Sequence, residues 1–142
     1  MNHDRYDDSK IRGILSSVKT IAVVGASPNA SRPSYGVMKF LISKGYKVIP
    51  INPGHAGKTI LDQPVYASLA DVPVAIDMVD VFRNPDSLPG IVDEVIALET
   101  TPDVLWGQLT VRNDEAAELA ENAGITVIMD RCPAIEYPRL IG

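Results

Sequence analysis

Short apolar runs alternate with stretches in which apolar residues recur every three or four positions, and the alternation continues along most of the chain. Two kinds of element are implied. The run Thr20 to Gly25 (TIAVVG) is continuously apolar, β-branched and closed by glycine, the pattern of a strand buried on both faces of a parallel sheet. Ahead of it, Ile11, Ile14, Leu15 and Val18 put one apolar stripe on a helix over residues 7–18, expected to lie across the sheet edge. From Ser34 to Lys44 the helical period returns, with Val37, Phe40 and Leu41 on one face and Gly45 as the C-terminal cap. YKVIPIN (46–52) predicts the second strand, AIDMVDVF (75–82) the third, DVLWGQ (103–108) the fourth and ITVIMD (125–130) the fifth. Helices fall between them over 86–99, with Ile91, Val92, Val95, Ile96 and Leu98 as the apolar set, and over 114–124, capped by Asn113 and ended by Gly124. A loop of proline, glycine and polar residues joins the second strand to the third.

Strands separated by helices of this length require parallel pairing through right-handed crossovers. The expected fold class is α/β: a single Rossmann-like doubly wound sandwich with a mainly parallel five-stranded sheet in the order 3-2-1-4-5. Residues 1–142 form one domain in this reading, with 1–18 as an N-terminal helix and tail, because no repeat, low-complexity tract or linker divides them. Ligands of such sheets sit beyond the carboxyl ends of the strands where the strand order reverses, so the loops at those ends carry the chemistry.

Composition narrows the classes. With 46% apolar and 22% charged residues the chain has the balance of a globular protein, and a net charge of -5 opposes contact with nucleic acid. The N-terminus has no apolar signal region, and no uncharged apolar run approaches the ~20 residues of a membrane span, so a cytoplasmic protein without membrane contact is expected. Cys132 is the only cysteine and His3 and His55 the only histidines, too few for a disulfide or a recurring zinc pattern. Asp77 with Asp80, and Asp93 with Glu94, have no base or nucleophile gathered beside them, so no catalytic constellation is expected.

The loop from Gly25 to Ser34 begins like the phosphate-gripping turn of a dinucleotide site but lacks its later glycines. In their place stand Ser27, Ser31, Arg32 and Ser34, hydroxyls and a guanidinium able to meet an anion by side chain at a helix start. An ordinary loop with a serine cap and a solvated arginine has the same pattern. Asn52 and Pro53 end the second strand where NAD sites usually carry an acid, which disfavours NAD. Phe82 and Arg83 end the third, and Trp106 with Gln108 the fourth, with a core phenylalanine and a buried tryptophan as the competing fates. Cys132 follows Arg131, whose charge favours a thiolate, although most free cysteines are small buried hydrophobes.

Taken in order, GAS (25–27), RPSY (32–35), GYKVIPINP (45–53), VDVFR (79–83), WGQ (106–108), MDRCP and EYPRL resemble the small standalone CoA-binding proteins, whose domain is similar to the CoA-binding domain of the succinyl-CoA synthetase α subunit. The resemblance implies CoA or an acyl-CoA as ligand, with Gly25, Ser27, Arg32 and Ser34 facing the phosphates. Ala26 and Tyr35 belong to the same motifs and the same expected site. Asn52 and Pro53 would line the adenosine side, Phe82 and Arg83 close over it, and the pantetheine arm run toward Trp106 and Gln108. One departure is Thr110, where the family pattern usually has glycine. The synthetase's phosphorylated histidine lies in a second domain for which 142 residues leave no room, so acyl-CoA ligation by this chain alone is not expected. A homodimer or a partner enzyme is compatible with this reading. Its competitors are an NAD(P)-dependent oxidoreductase, for which no hydride pocket is visible, and a regulatory or interaction domain without ligand, against which Arg32 and Ser27 speak.

Overall fold

The computed structural model describes residues 2–142. In chain order it contains α1 (Asp8–Ser17), β1 (Thr20–Val24), α2 (Pro33–Ser43), β2 (Lys47–Ile51), a hairpin of β3 (Thr59–Ile60) and β4 (Gln63–Pro64), and β5 (Met78–Val81). Then follow α3 (Leu88–Ile96), β6 (Val104–Gly107), α4 (Asp114–Asn122), β7 (Thr126–Ile128) and α5 (Pro133–Leu140). Five parallel strands form the main sheet in the order β2-β1-β5-β6-β7, a Rossmann-like α/β arrangement.

Alternation along the strands divides the core in two. Ala22, Val24, Val79, Val81, Leu105 and Val127 meet α3 and α4, while Ile21, Val23, Met78, Trp106 and Ile128 meet α1, α2 and α5. Both sheet faces are therefore covered, which explains why β1 is apolar at successive positions.

The parallel doubly wound sheet is the expected one, with a difference inside the strand order. The strand read as third, β5, pairs with β1 rather than standing outside β2. Outside β2 there is a single parallel bridge, Ile51 to Tyr66, in which Tyr66 donates to Pro50 O and Asn52 donates to Tyr66 O. Pro50 explains the brevity: its nitrogen faces that outer side and has no hydrogen to extend a ladder. The long connection over 52–77 thus supplies only a trace of an outer strand before β5 returns beside β1.

The chain start crosses the β7 edge, but as a tail rather than as the helix. The Tyr6 hydroxyl accepts the Met129 N–H at 2.9 Å, and His3 Nε2 meets Glu121 Oε1 of α4 at 2.8 Å. Helix α1 itself lies in the α2/α5 layer, burying Ile11, Ile14 and Leu15. Helix α5 was not expected from the sequence, because Pro138 inside it breaks the helical signal.

Candidate functional site

Where β1 and β5 end side by side, the connections leave toward opposite faces of the sheet, and a crevice opens between them. Gly25 sits at its floor with φ +87°, and a Cβ there would stand 2.2 Å from the Phe82 carbonyl oxygen and 3.3 Å from Arg83 Nε. Only glycine fits, for conformational and steric reasons together. The Gly25 and Ala26 N–H groups both donate to Ile51 O, at 3.1 and 3.3 Å. Asn52 reaches across the same junction: its Nδ2 donates to Ala26 O at 2.7 Å and its Oδ1 accepts from the Gly54 N–H at 2.9 Å.

The rest of the loop is held by its own hydroxyls and amide. Ser27 N–H donates to Ser34 Oγ at 3.1 Å, and Ser27 Oγ accepts from the Asn29 N–H at 3.1 Å. Asn29 Oδ1 in turn accepts the Ser31 N–H and hydroxyl, at 3.0 and 2.8 Å. Ser27 and Ser34 act as acceptors in these bonds, so each keeps a hydroxyl proton able to point at an anion. The serines that replace the missing glycines therefore first of all shape the loop.

A cleft of about 340 Å³ lies beside this loop, lined by Arg32 and Ser34 at the start of α2, Phe82 and Arg83 after β5, and Gln108 after β6. These five candidate residues, separated in sequence, are brought to one cleft. Arg32 and Arg83 are exposed at its mouth, and among the described residues neither is in an ion pair. The start of α2 adds the positive end of a helix dipole, so the cleft favours an anion despite the acidic molecule.

Other candidates fall elsewhere. Trp106 is fully enclosed in the α2/α5 layer, its indole N–H donating to Arg131 O at 2.8 Å, so the expected tryptophan rim is core. Tyr35 packs half-buried against the same layer, and Cys132 is buried in it. Asn52 and Pro53 stand on the far side of the Gly25 loop and do not line the cleft; Asn52 stitches the two loops together.

Pro33, Leu109, Thr110 and Val111 line the cleft without having been singled out for it. Of these, Pro33 lies within the RPSY motif, and Thr110 stands where glycine is usual. Its φ is +71°, and its N–H is tied to Asp130 Oδ1 at 2.7 Å. A left-handed conformation costs a side-chain-bearing residue about 1–2 kcal/mol, which gives the glycine preference its cause. Replacing Thr110 with glycine should raise stability by roughly 0.5–1 kcal/mol after the added freedom of the unfolded chain is counted. Chemical denaturation measures it, and a loss of stability would show the threonine side chain to be the stabilising choice.

Asp80 is fully buried on β5, on the α2/α5 face, and neither carboxyl oxygen has a partner. Burial alone drives its pKa well above the ordinary carboxylate range, since the proton removes a charge that the apolar surroundings cannot solvate. Its neighbour in composition, Asp77, has a plain structural task, accepting the Lys19 and Thr20 N–H groups at 2.9 Å each. Among the described residues no group of three or more His, Cys, Asp or Glu is arranged to hold a metal ion, and no helix is long and apolar enough to cross a membrane.

Comparison with known proteins bears on this site. YneT of Bacillus subtilis is 40% identical over 129 residues, 91% of this chain and 93% of that protein. A solved protein structure from Pyrococcus horikoshii OT3 is 37% identical with a TM-score of 0.91, covering 100% of this chain and 97% of the other. An ADP-forming acetate–CoA ligase II of Archaeoglobus fulgidus is 35% identical over 78 residues, 54% of this chain but 11% of the ligase. Residues 19–138, spanning the whole sheet and the cleft loops, match the family model described as the CoA binding domain, and the chain belongs to that family.

Proposed function

We propose that this protein binds CoA or an acyl-CoA, with the diphosphate held at the loop between β1 and α2, and that it performs no catalysis alone. The observation that carries this reading is the pairing of Arg32 and Arg83, free of acidic partners among the described residues, across a cleft at the sheet's switch point. Arg32 and the Ser34 hydroxyl would meet phosphate oxygens from the α2 side. Arg83, lying against Gly25, would meet them from the β5 side. The apolar walls offered by Phe82, Leu109 and Val111 suit the arm of the ligand better than its charged end. Asn52 at the end of β2 is already committed to Ala26 and Gly54, which leaves no acid to grip a ribose as an NAD site does.

Thermal shift with CoA, dephospho-CoA, NAD and NADP tests the reading. A ligand present at 100 times its dissociation constant adds about 2.7 kcal/mol to stability. CoA is expected to raise the melting temperature and NAD to leave it unchanged. Arg32→Ala should weaken CoA binding about tenfold or more, the loss of one charge-assisted phosphate contact. Equal responses to NAD and CoA, or none to CoA, would overturn the proposal, and an undiminished response in the variant would take Arg32 out of the site.

A further inference from the structure

The buried side-chain polar atoms that lack a partner among the described residues are both oxygens of Asp80 and Oε1 of Gln108. These two residues are neighbours. Asp80 is in register with Trp106, and the Gln108 N–H donates to Val81 O at 3.1 Å, which continues the ladder two residues past Trp106. Asp80, Trp106 and Gln108 consequently share the α2/α5 face, with Asp80 and Gln108 on a diagonal. A strand spacing of about 4.8 Å and a rise of about 3.3 Å per residue put such diagonal neighbours about 8 Å apart at the backbone, within reach of a long side chain such as glutamine. Gln108 is 6% exposed and lines the cleft, whereas Asp80 is 0% exposed and does not.

Their chemistries complement each other in one protonation state only. An amide oxygen accepts and never donates; a carboxylate likewise only accepts; a neutral carboxyl has one O–H to give. One proton on Asp80 satisfies an orphaned atom on each residue. We propose that neutral Asp80 is a positioning residue: its O–H bonds to Gln108 Oε1 and so holds the Gln108 amide with its NH₂ group toward the cleft. The NH₂ group then offers hydrogen bonds to a phosphate or carbonyl oxygen of the ligand. When Asp80 ionises it accepts from that NH₂ group instead, the amide turns over, and an oxygen faces the anionic ligand. Affinity for such a ligand falls as pH rises.

Burial is the sole cause of the raised Asp80 pKa, and the groups around it are accounted for. The α2 layer carries Arg32 at the helix start with Tyr35 and Lys39, and the α5 layer carries Cys132 at the helix start with Glu136, Tyr137 and Arg139, Glu136 being bonded to Arg139. Helix α1 contributes Asp8, Lys10 and Arg12, the chain start Tyr6, the end of β7 Asp130 and Arg131, and β5 and its flanks Asp77 and Arg83. Strand β1 contributes no charged side chain.

The identity of the ligand rests on the CoA reading; the Asp80–Gln108 bond does not. The experiment therefore has two arms, applied to wild type, Asp80→Asn and Asp80→Leu. In the first, the side-chain NH₂ signals of Gln108, assigned by their loss in Gln108→Met, are followed by NMR from pH 5 to 9 without ligand. They are expected to move with pH in wild type and to stay fixed in Asp80→Asn, whose own amide donates to Oε1 at every pH. In the second, CoA affinity is measured calorimetrically over the same range. Wild type should lose about tenfold or more as pH rises, Asp80→Asn should bind at all pH values as wild type does at low pH, and Asp80→Leu should be about tenfold weaker throughout. Gln108 signals with the same pH response in wild type and Asp80→Asn would overturn the inference even if CoA binds. Absence of CoA binding with the expected NMR behaviour would overturn the ligand and keep the bond. Should Asp80→Leu fail to fold, the Asp80→Asn titration decides.

Discussion

Gly25→Ala is expected to cost about 3 kcal/mol or more and to lower the melting temperature by about 10 °C in a chain of this size. Two independent penalties act at this position. The φ of +87° is one that alanine adopts at a cost of about 1–2 kcal/mol. Its Cβ would also stand 2.2 Å from the Phe82 carbonyl oxygen, a distance that side-chain rotation cannot relieve because the opposing atom is backbone. The junction cannot simply widen, since Phe82 N–H donates to Val24 O at 2.8 Å and holds β5 against β1. Gly45→Ala provides the control: φ is +93° but nothing lies within 4 Å of the added Cβ, so only the conformational penalty applies. Thermal denaturation of both variants separates the contributions. If the two lose equal stability, the close approach of β1 and β5 is not what requires glycine in the crevice.

Asp80→Asn should change the pH dependence of stability more than its value at any one pH. The ordinary carboxyl value of 3.8 applies to the unfolded chain, and the folded value is raised well above it by burial. Below 3.8 both states hold the proton and the acid imposes no ionisation penalty. Between the two values the unfolded chain has released its proton and the folded chain has not, so wild type loses about 1.4 kcal/mol per pH unit. The loss levels off once pH passes the folded value. Asparagine has no proton to lose, and its advantage over wild type is expected to grow by that slope as pH rises from 4. Urea denaturation at several pH values measures the difference. A difference that is constant across the range would mean that Asp80 ionises in the folded protein as readily as in the unfolded one.

Much of the cleft was legible in the sequence because its residues occupy strand ends, and strand ends are marked locally. Gly25 closes an apolar run, Arg32 and Ser34 precede a helix-period stretch, and Phe82, Arg83 and Gln108 each follow a buried strand. The doubly wound topology then gathers such positions on one side of the sheet. Trp106 carried the same mark and belongs to the core, because whether a strand-end side chain meets ligand or helix depends on its face and on what covers that face. The cover is α5, a helix whose Pro138 hid it. Thr110 was noticed as an unexpected residue, but its meaning came with its φ of +71°. Asp80 had no legible role at all: within DMVDVF it reads as ordinary polar alternation, and only the closing of α2 and α5 over β5 removes it from water.

By itself the sequence determined the five strands of the main sheet, the first four helices and the parallel pairing, since hydrophobic period and glycine placement act over a few residues and need no distant partner. It also determined the chemical character of the cleft, because arginine and serine carry their charge and hydroxyls wherever they are placed. Tertiary structure alone decided that β5 lies beside β1, that Trp106 turns inward, and that Asp80 and Gln108 share a face with unmet hydrogen bonds. Those outcomes depend on which surfaces meet and which are cut off from solvent, quantities that exist only once segments distant in the chain have come together.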